Sequence, residues 1–303
     1  MFYFYNNGIT FICDKAENSI TSRKINLKGA SVVNGCQTLN SLYDVGDKLK
    51  DDVFVLMRII EISDYSERMQ ITEFLNSQTP IKDSYFVSNH TIVRDLQKQL
   101  LDKGYFLERQ INEYEYKKTH GTVEEDKVVI PLEKTIQYYV GYWINKYASL
   151  AKSGKAGLFD KNKIEELLRG ISDERVIEAM ACYNEIAKVL TMYRKTRRNE
   201  HKDEFSRYIG VEQEWLLENI QDFLFMNTGD ILILNTVQNL KGRYNQLALE
   251  ERSVDKLIAD AVFVIKDVIK SEQGVNISGL TKSASVFAKV QERVSKLTAI
   301  VTL

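Results

Sequence analysis

Apolar residues three and four apart recur almost without interruption from Leu132 to the end of this 303-residue chain. That period fits α-helix and not strand, which repeats every two residues. The stretches Leu132 to Leu150, Lys161 to Leu168, Asp173 to Arg194, Val211 to Phe225, Ile231 to Leu247, Val254 to Ser271 and Thr281 to Leu297 all carry it. Pro131 stands just before the first, where a helix can begin without losing a hydrogen bond. The C-terminal half is therefore expected to be a helical domain.

The first third reads differently. Ile9 to Cys13 and Ile20 to Leu27 are rich in β-forming residues and flank Glu17 and Asn18, which predicts a hairpin. Ala30 to Val33 is a third short strand. Thr38 to Val45 places Leu39, Leu42 and Val45 at helical spacing, and Gly46 ends that helix. Val53 to Ile62 is a nearly continuous apolar run, the pattern of a strand covered on both faces. Ser63 or Asp64 can cap a following helix, with Glu67 placed to close a capping box. Pro80 stops that helix, and another is expected from Ser88 or Thr91 to Leu101. The Tyr- and charge-rich segment Glu108 to Lys127 reads as a hairpin or loop. The expected fold class is α+β (mixed α/β), with an α/β domain over residues 1–128 and a mainly α-helical domain over 129–303.

Forty-one basic and forty-two acidic side chains nearly cancel, so binding to nucleic acid or an anionic membrane requires a local patch. Cys13, Cys36 and Cys182 are odd in number and far apart, which argues against a disulfide or zinc framework and for a reducing cytoplasm. The three histidines are too scattered for a zinc centre, and no metal site is expected. No apolar run approaches the roughly twenty residues that span a bilayer. The protein is read as cytoplasmic, without a membrane partner.

Three amide-rich turns fall within the first eighty-one residues. They read Phe-Tyr-Asn-Asn-Gly-Ile-Thr at 4–10, Val-Val-Asn-Gly-Cys-Gln-Thr at 32–38 and Asn-Ser-Gln-Thr-Pro-Ile at 76–81. In this order and spacing they resemble the AIPR family, the abortive infection phage resistance proteins of bacteria. Weaker agreement continues through Gly104 to Arg109 and around Leu158 and Phe159. A more distant likeness is to ParB-type and DGQHR-type domains, in which a Gly-containing strand-to-helix corner contacts phosphates. That likeness implies an incomplete ParB-like domain at the N-terminus, since an aromatic strand signal follows Met1 directly. The chain reads either as the C-terminal portion of a longer family pattern or as a short gene. It departs from the ParB pattern at the corner itself, which offers Asn34, Gln37 and Thr38 and no triphosphate-holding arginine.

Each candidate has a plain reading beside the functional one. Asn34 and Gly35 can form a simple turn, or with Gln37 and Thr38 bind an anion or base edge at a helix N-terminus. Asn6 and Asn7 can make a turn or an amide fork, and Asn76 and Gln78 a helix end or part of the same pocket. Arg58 is an edge residue, a partner of Glu61 or Glu73, or the cation of the pocket. Asp102, Glu115 and Lys117 have the residue types of a Mg²⁺-dependent nuclease. Arg194, Lys195, Arg197, Arg198 and Lys202, with Tyr193 and His201 nearby, are either a solvated helix end or a nucleic-acid patch with stacking groups.

The expected function is phage defence in which a nucleotide or nucleic acid occupies the amide pocket and signals to the helical domain. The alternatives are a metal-dependent nuclease or toxin-like effector, and a non-catalytic interaction module whose partner is another phage-defence protein. An oligomer is compatible with all three.

Overall fold

The computed structural model describes residues 8–19, 24–49, 53–64, 67–68, 71–72, 87–88, 90–110, 113–119, 121–124, 126–160, 162–198, 203–272 and 276–298. Main-chain contacts divide the chain into one unit of residues 1–82 and another of 83–303.

In the first unit the strands are β1 (Ile9–Cys13), β2 (Lys15–Ser19), β3 (Lys24–Lys28), β4 (Ser31–Asn34) and β5 (Met57–Glu61), with helix α1 (Cys36–Val45) between β4 and β5. The expected hairpin of Ile9–Cys13 with residues 20–27 is replaced by another pairing. β2 and β3 form the antiparallel pair, so Glu17 and Asn18 lie inside a strand. β1 is instead the centre of a three-stranded sheet in the order β4-β1-β5, antiparallel to β4 and parallel to β5. The cause is burial. Ile9, Ile12 and Cys13 are buried and need partners on both sides, whereas Lys15–Ser19 is polar and largely exposed.

β5 is shorter than the apolar run that announced it. Phe54 and Leu56 are exposed just before β5 and Met57 is exposed at its start on an outer strand, so the run is not a strand covered on both faces. α1 starts and stops where the residues dictate, with Gly35 before it and Gly46 at φ 49° after it. The Asp64 carboxylate accepts from the Glu67 N–H at 2.9 Å, the cap that the sequence predicts.

The second unit opens with α2 (Thr91–Asp102), β6 (Tyr105–Glu108), α3 (Glu113–Thr119) and β7 (Val128–Pro131), then runs helically through α4 (Leu132–Trp143), α5 (Ala148–Ser153), α6 (Ile164–Leu167), α7 (Asp173–Arg197), α8 (Glu204–Ile209), α9 (Gln213–Glu218), α10 (Asp230–Gln246), α11 (Val254–Lys270), α12 (Ile277–Leu280) and α13 (Ala284–Ser295). β6 and β7 pair in parallel. Val87, Val93, Leu96, Leu100 and Leu107 belong to the same core as the helices that follow, so residues 83–128 pack with the helical half. The change of period at 129 and the change of packing at 83 are different boundaries.

α10 is the axis of this unit and packs against α4, α7, α11 and α13. Ile231 to Val237 are buried on every side, as expected for a helix surrounded by others. Its one fully enclosed amide, Asn235, donates to the Gly141 carbonyl at 3.0 Å and to Asn145 Oδ1 at 2.9 Å, and accepts from Gln291 at 3.0 Å. Those bonds join α4, α10 and α13. α7 begins at a Ser172 cap, whose hydroxyl accepts from the Arg175 N–H at 3.3 Å, and has Asp173 and Glu174 in its first turn. Both agree with the helix dipole.

Candidate recognition site

The register of the small sheet sets the first unit's candidate site. Thr10 on the central strand pairs with Asn34 on one side and with Arg58 on the other. Residues in such a cross-strand row share a face of the sheet, and two strand spacings put the backbones of Asn34 and Arg58 about 10 Å apart. Thr10 is buried, Asn34 half-buried and Arg58 exposed. Among the described residues Arg58 has no ion-pair partner. Glu61, one of its expected partners, accepts from the Ala16 N–H at 2.9 Å instead, and Glu73 lies outside the described residues.

Two glycines bring the turns together at this edge. Gly35 sits at φ 89°, ψ 17°, and a Cβ there would lie 2.5 Å from the Gly8 carbonyl oxygen and 2.9 Å from Ile9 Cα. Gly8, at φ 80°, is equally close to its other neighbour, with a would-be Cβ 2.5 Å from the Leu56 carbonyl oxygen. The residue after Asn7 therefore touches both the corner after Asn34 and the entry to β5. Only glycine meets both demands, a left-handed φ and main chain on the side where a Cβ would stand.

Beyond Gly35, α1 starts without a side-chain cap and with no acidic residue in its first turn. Its positive end is thus not offset from within the helix. Thr38 is half-buried and Cys36 exposed there. Asn6, Asn7, Asn76 and Gln78, and the side chain of Gln37, lie outside the described residues. Sequence reasoning missed Thr10 and Gly8. The Gly-Ile-Thr that closes the first motif was the available signal for both.

The nuclease trio is not assembled. Residues 113–119 are helical, and residues two apart on a helix do not face each other. Lys117 bonds Glu113 at 2.8 Å and lies over the Phe106 ring, while exposed Glu115 reaches Lys118 at 3.9 Å. Asp102 ends α2 on the surface. Among the described residues no group of three or more His, Cys, Asp or Glu side chains is placed to hold a metal ion.

The carboxylate that does matter in this region is Glu113, which the sequence reading passed over. It accepts from the Arg109 N–H at 2.9 Å, from Arg109 Nη2 at 2.9 Å, from Lys117 at 2.8 Å and from Gln97 at 3.2 Å. Burial pushes its carboxyl upward, but Lys117 and Arg109 outweigh that and hold it below the ordinary 4.5. Spacing i, i+4 from Arg109 was the signal that could have found it. The cluster is a closed ion-pair hub that fixes β6 to α2 and α3.

On α7, Arg194, Arg197 and Arg198 are exposed and Lys195 half-buried. Tyr193 is fully buried, edge-on to Phe205 at 5.4 Å, so it is unavailable for stacking on a base. Lys202 and His201 lie outside the described residues.

A family model described as AIPR protein matches residues 1–302. The chain belongs to the AIPR family. Membership points to abortive infection and phage resistance, as the three motifs led us to expect. No curated protein and no solved structure matches this AIPR chain. Among the described residues no helix is long and apolar enough to cross a membrane.

Proposed function

We propose that this AIPR protein acts in phage defence by binding a nucleotide or nucleic acid at the edge formed by β1, β4, β5 and the start of α1. The observation that carries the reading is the row Asn34, Thr10, Arg58, closed by Gly8 against Gly35. A guanidinium with no ion-pair partner among the described residues and an amide on one row, beside a helix start without a side-chain cap, offer a phosphate contact and a polar edge for base or sugar. Arg58 is the cation that a ParB-like corner would need, supplied from the neighbouring strand rather than from the corner. Asn6, Asn7, Gln37, Thr38, Asn76 and Gln78 complete the ligand set in this reading, and occupancy signals to the helical unit.

A thermal-shift panel of mononucleotides and short DNA and RNA tests it on the full chain. A ligand at one hundred times its dissociation constant adds about 2.7 kcal/mol of stability. Wild type is expected to show a stabilising ligand, and Arg58→Ala and the double variant Asn34→Ala, Gln37→Ala to lose the effect. If no nucleotide or oligonucleotide stabilises wild type beyond these variants, the binding reading fails.

A second reading, a non-catalytic interaction module, draws on α1 itself. Leu39, Tyr43 and Val45 are exposed along it, Tyr43 to 86%. A ten-residue helix with so little packing is marginal in water. Another defence protein or a second copy would cover that face. Light scattering after size exclusion should then show assembly that Tyr43→Ser abolishes, and ligand-independent assembly without any nucleotide effect would favour this reading over the first.

A further inference from the structure

We propose that the C-terminal end of α7 is a duplex nucleic-acid contact that grips phosphates through Arg194, Arg197 and Arg198. These residues belong to the second unit, and the proposal does not rest on the amide row. The three arginines stand at i, i+3 and i+4, all are exposed, and none forms an ion pair among the described residues. Several other surface cations of this unit are paired. Lys146 pairs with Glu166, Lys188 with Glu185, Arg207 with Asp203, Lys241 with Glu178 and Lys270 with Asp222, each within 2.9 Å.

Helix-end electrostatics do not account for the cluster. A cation near a helix C-terminus gains about 0.3–1 kcal/mol, mostly within the last turn. Arg194 and Arg198 are also like charges at i, i+4, which costs a few tenths of a kcal/mol. The helix end itself is closed by main chain, the Arg198 N–H bonding the Arg194, Lys195 and Thr196 carbonyls, so it needs no guanidinium group. Glu185 on α7 and Asp203 just before α8 are engaged, with Lys188 and Arg207 respectively.

Geometry and composition then choose the ligand. Arg194 to Arg198 spans about 6 Å of helix axis, comparable to two steps of a duplex strand at about 3.4 Å each. Guanidinium groups also bond phosphate oxygens in pairs. Single-stranded sites add aromatic platforms, but among the described residues the aromatic ring next to the arginines in sequence, Tyr193, is fully buried. An anionic membrane surface would favour apolar side chains beside the cations, whereas the flanking Tyr193 and Thr196 are both buried. A duplex read only through its backbone fits these facts.

Fluorescence anisotropy with the full chain and a labelled 20-base-pair DNA tests this, together with one strand of the same sequence and vesicles containing phosphatidylserine. Three phosphate contacts predict an affinity loss of about 40-fold between 50 and 200 mM salt. The triple variant Arg194→Gln, Arg197→Gln, Arg198→Gln should bind at least tenfold more weakly at 50 mM salt and lose most of that salt dependence. The triple lysine variant should keep it, which covers the case in which the glutamine variant does not fold. Wild-type salt dependence in a folded glutamine variant would overturn the proposal. So would tighter binding to the single strand than to the duplex, binding to vesicles alone, or no binding at all.

Discussion

Replacing Gly35 by alanine should unfold the first unit selectively. The substitution meets two separate costs. An L-residue in the left-handed region loses about 1–2 kcal/mol. The new Cβ would also stand 2.5 Å from the Gly8 carbonyl oxygen and 2.9 Å from Ile9 Cα, both main chain of the central strand. Those atoms cannot rotate away, and overpacking of this kind costs about 1–3 kcal/mol more. The sum is about 2–5 kcal/mol. Gly210 supplies the control, because it has a similar conformation (φ 72°, ψ 34°) with nothing within 4 Å of a would-be Cβ. Gly210→Ala should meet only the first of these costs, from about 1 kcal/mol. Both tryptophans, Trp143 and Trp215, belong to the second unit, so fluorescence cannot follow the first. Hydrogen exchange of peptides covering β1 and β4 can. About 3 kcal/mol lowers protection more than a hundredfold, against about fivefold for Gly210→Ala in α8. Asparagine, which tolerates a left-handed φ, should largely rescue position 210 and not position 35. Equal effects at the two glycines, or rescue by Gly35→Asn, would show that the two turns do not press on each other as described.

Other outcomes follow from the second unit and the thiols. Asp260 accepts from buried Tyr244 at 3.1 Å and pairs with Arg252, which lies over the same ring. Asp260→Ala should cost about 2–4 kcal/mol in urea unfolding followed by tryptophan fluorescence, and a loss under 0.5 kcal/mol would refute the role given to that lock. Glu113 has a carboxyl held below 4.5 when folded, so its stabilising effect is complete above that pH and fades as pH falls through the lower folded value. Glu113→Gln should therefore be less stable than wild type at pH 7, with the gap narrowing as pH falls below 4.5; a gap that does not narrow on acidification speaks against the ion-pair hub. Among the thiols, Cys36 is exposed, Cys13 and Cys182 are buried, and burial pushes the Cys182 thiol up to about 12. A disulfide reagent at pH 8 should titrate one thiol per native chain and all three in urea, and fast reaction of a second thiol would contradict the packing of β1 or α7.

Local signals were legible wherever the physics was local. Gly46 marked the end of α1 and Pro131 the start of α4, while the apolar spacing of Asp173 to Arg194 and of Val254 to Ser271 gave α7 and α11 nearly to the residue. Where apolar spacing ran on through a break, the breaks were invisible. Val211 to Phe225 divides into α9 and a 3-10 stretch at Ile220–Asn227, and Thr281 to Leu297 into the end of α12 and α13. The polar strand β2 carries no alternation to read, because both of its faces meet water. The candidate site was half legible. Asn34 and Gly35 could be named from their turn chemistry, but the alignment of Arg58 with them depends on β1 pairing in parallel with β5, a contact between distant segments. The mistaken pairing of Glu115 with Lys117 came from reading a helix as a loop.

The placement of β1 at the centre of its sheet also orders events during synthesis. Ile9–Cys13 is made early, yet one edge must wait for Ser31–Asn34 and the other for Met57–Glu61. Until then a short, apolar, twice-unsatisfied strand stands open on the nascent chain, and such edges recruit other strands. The closure of Gly8 onto Gly35 and Leu56 thus has to wait until residue 56 has been made. An AIPR chain arrested before residue 57 would carry a sticky strand and no assembled corner.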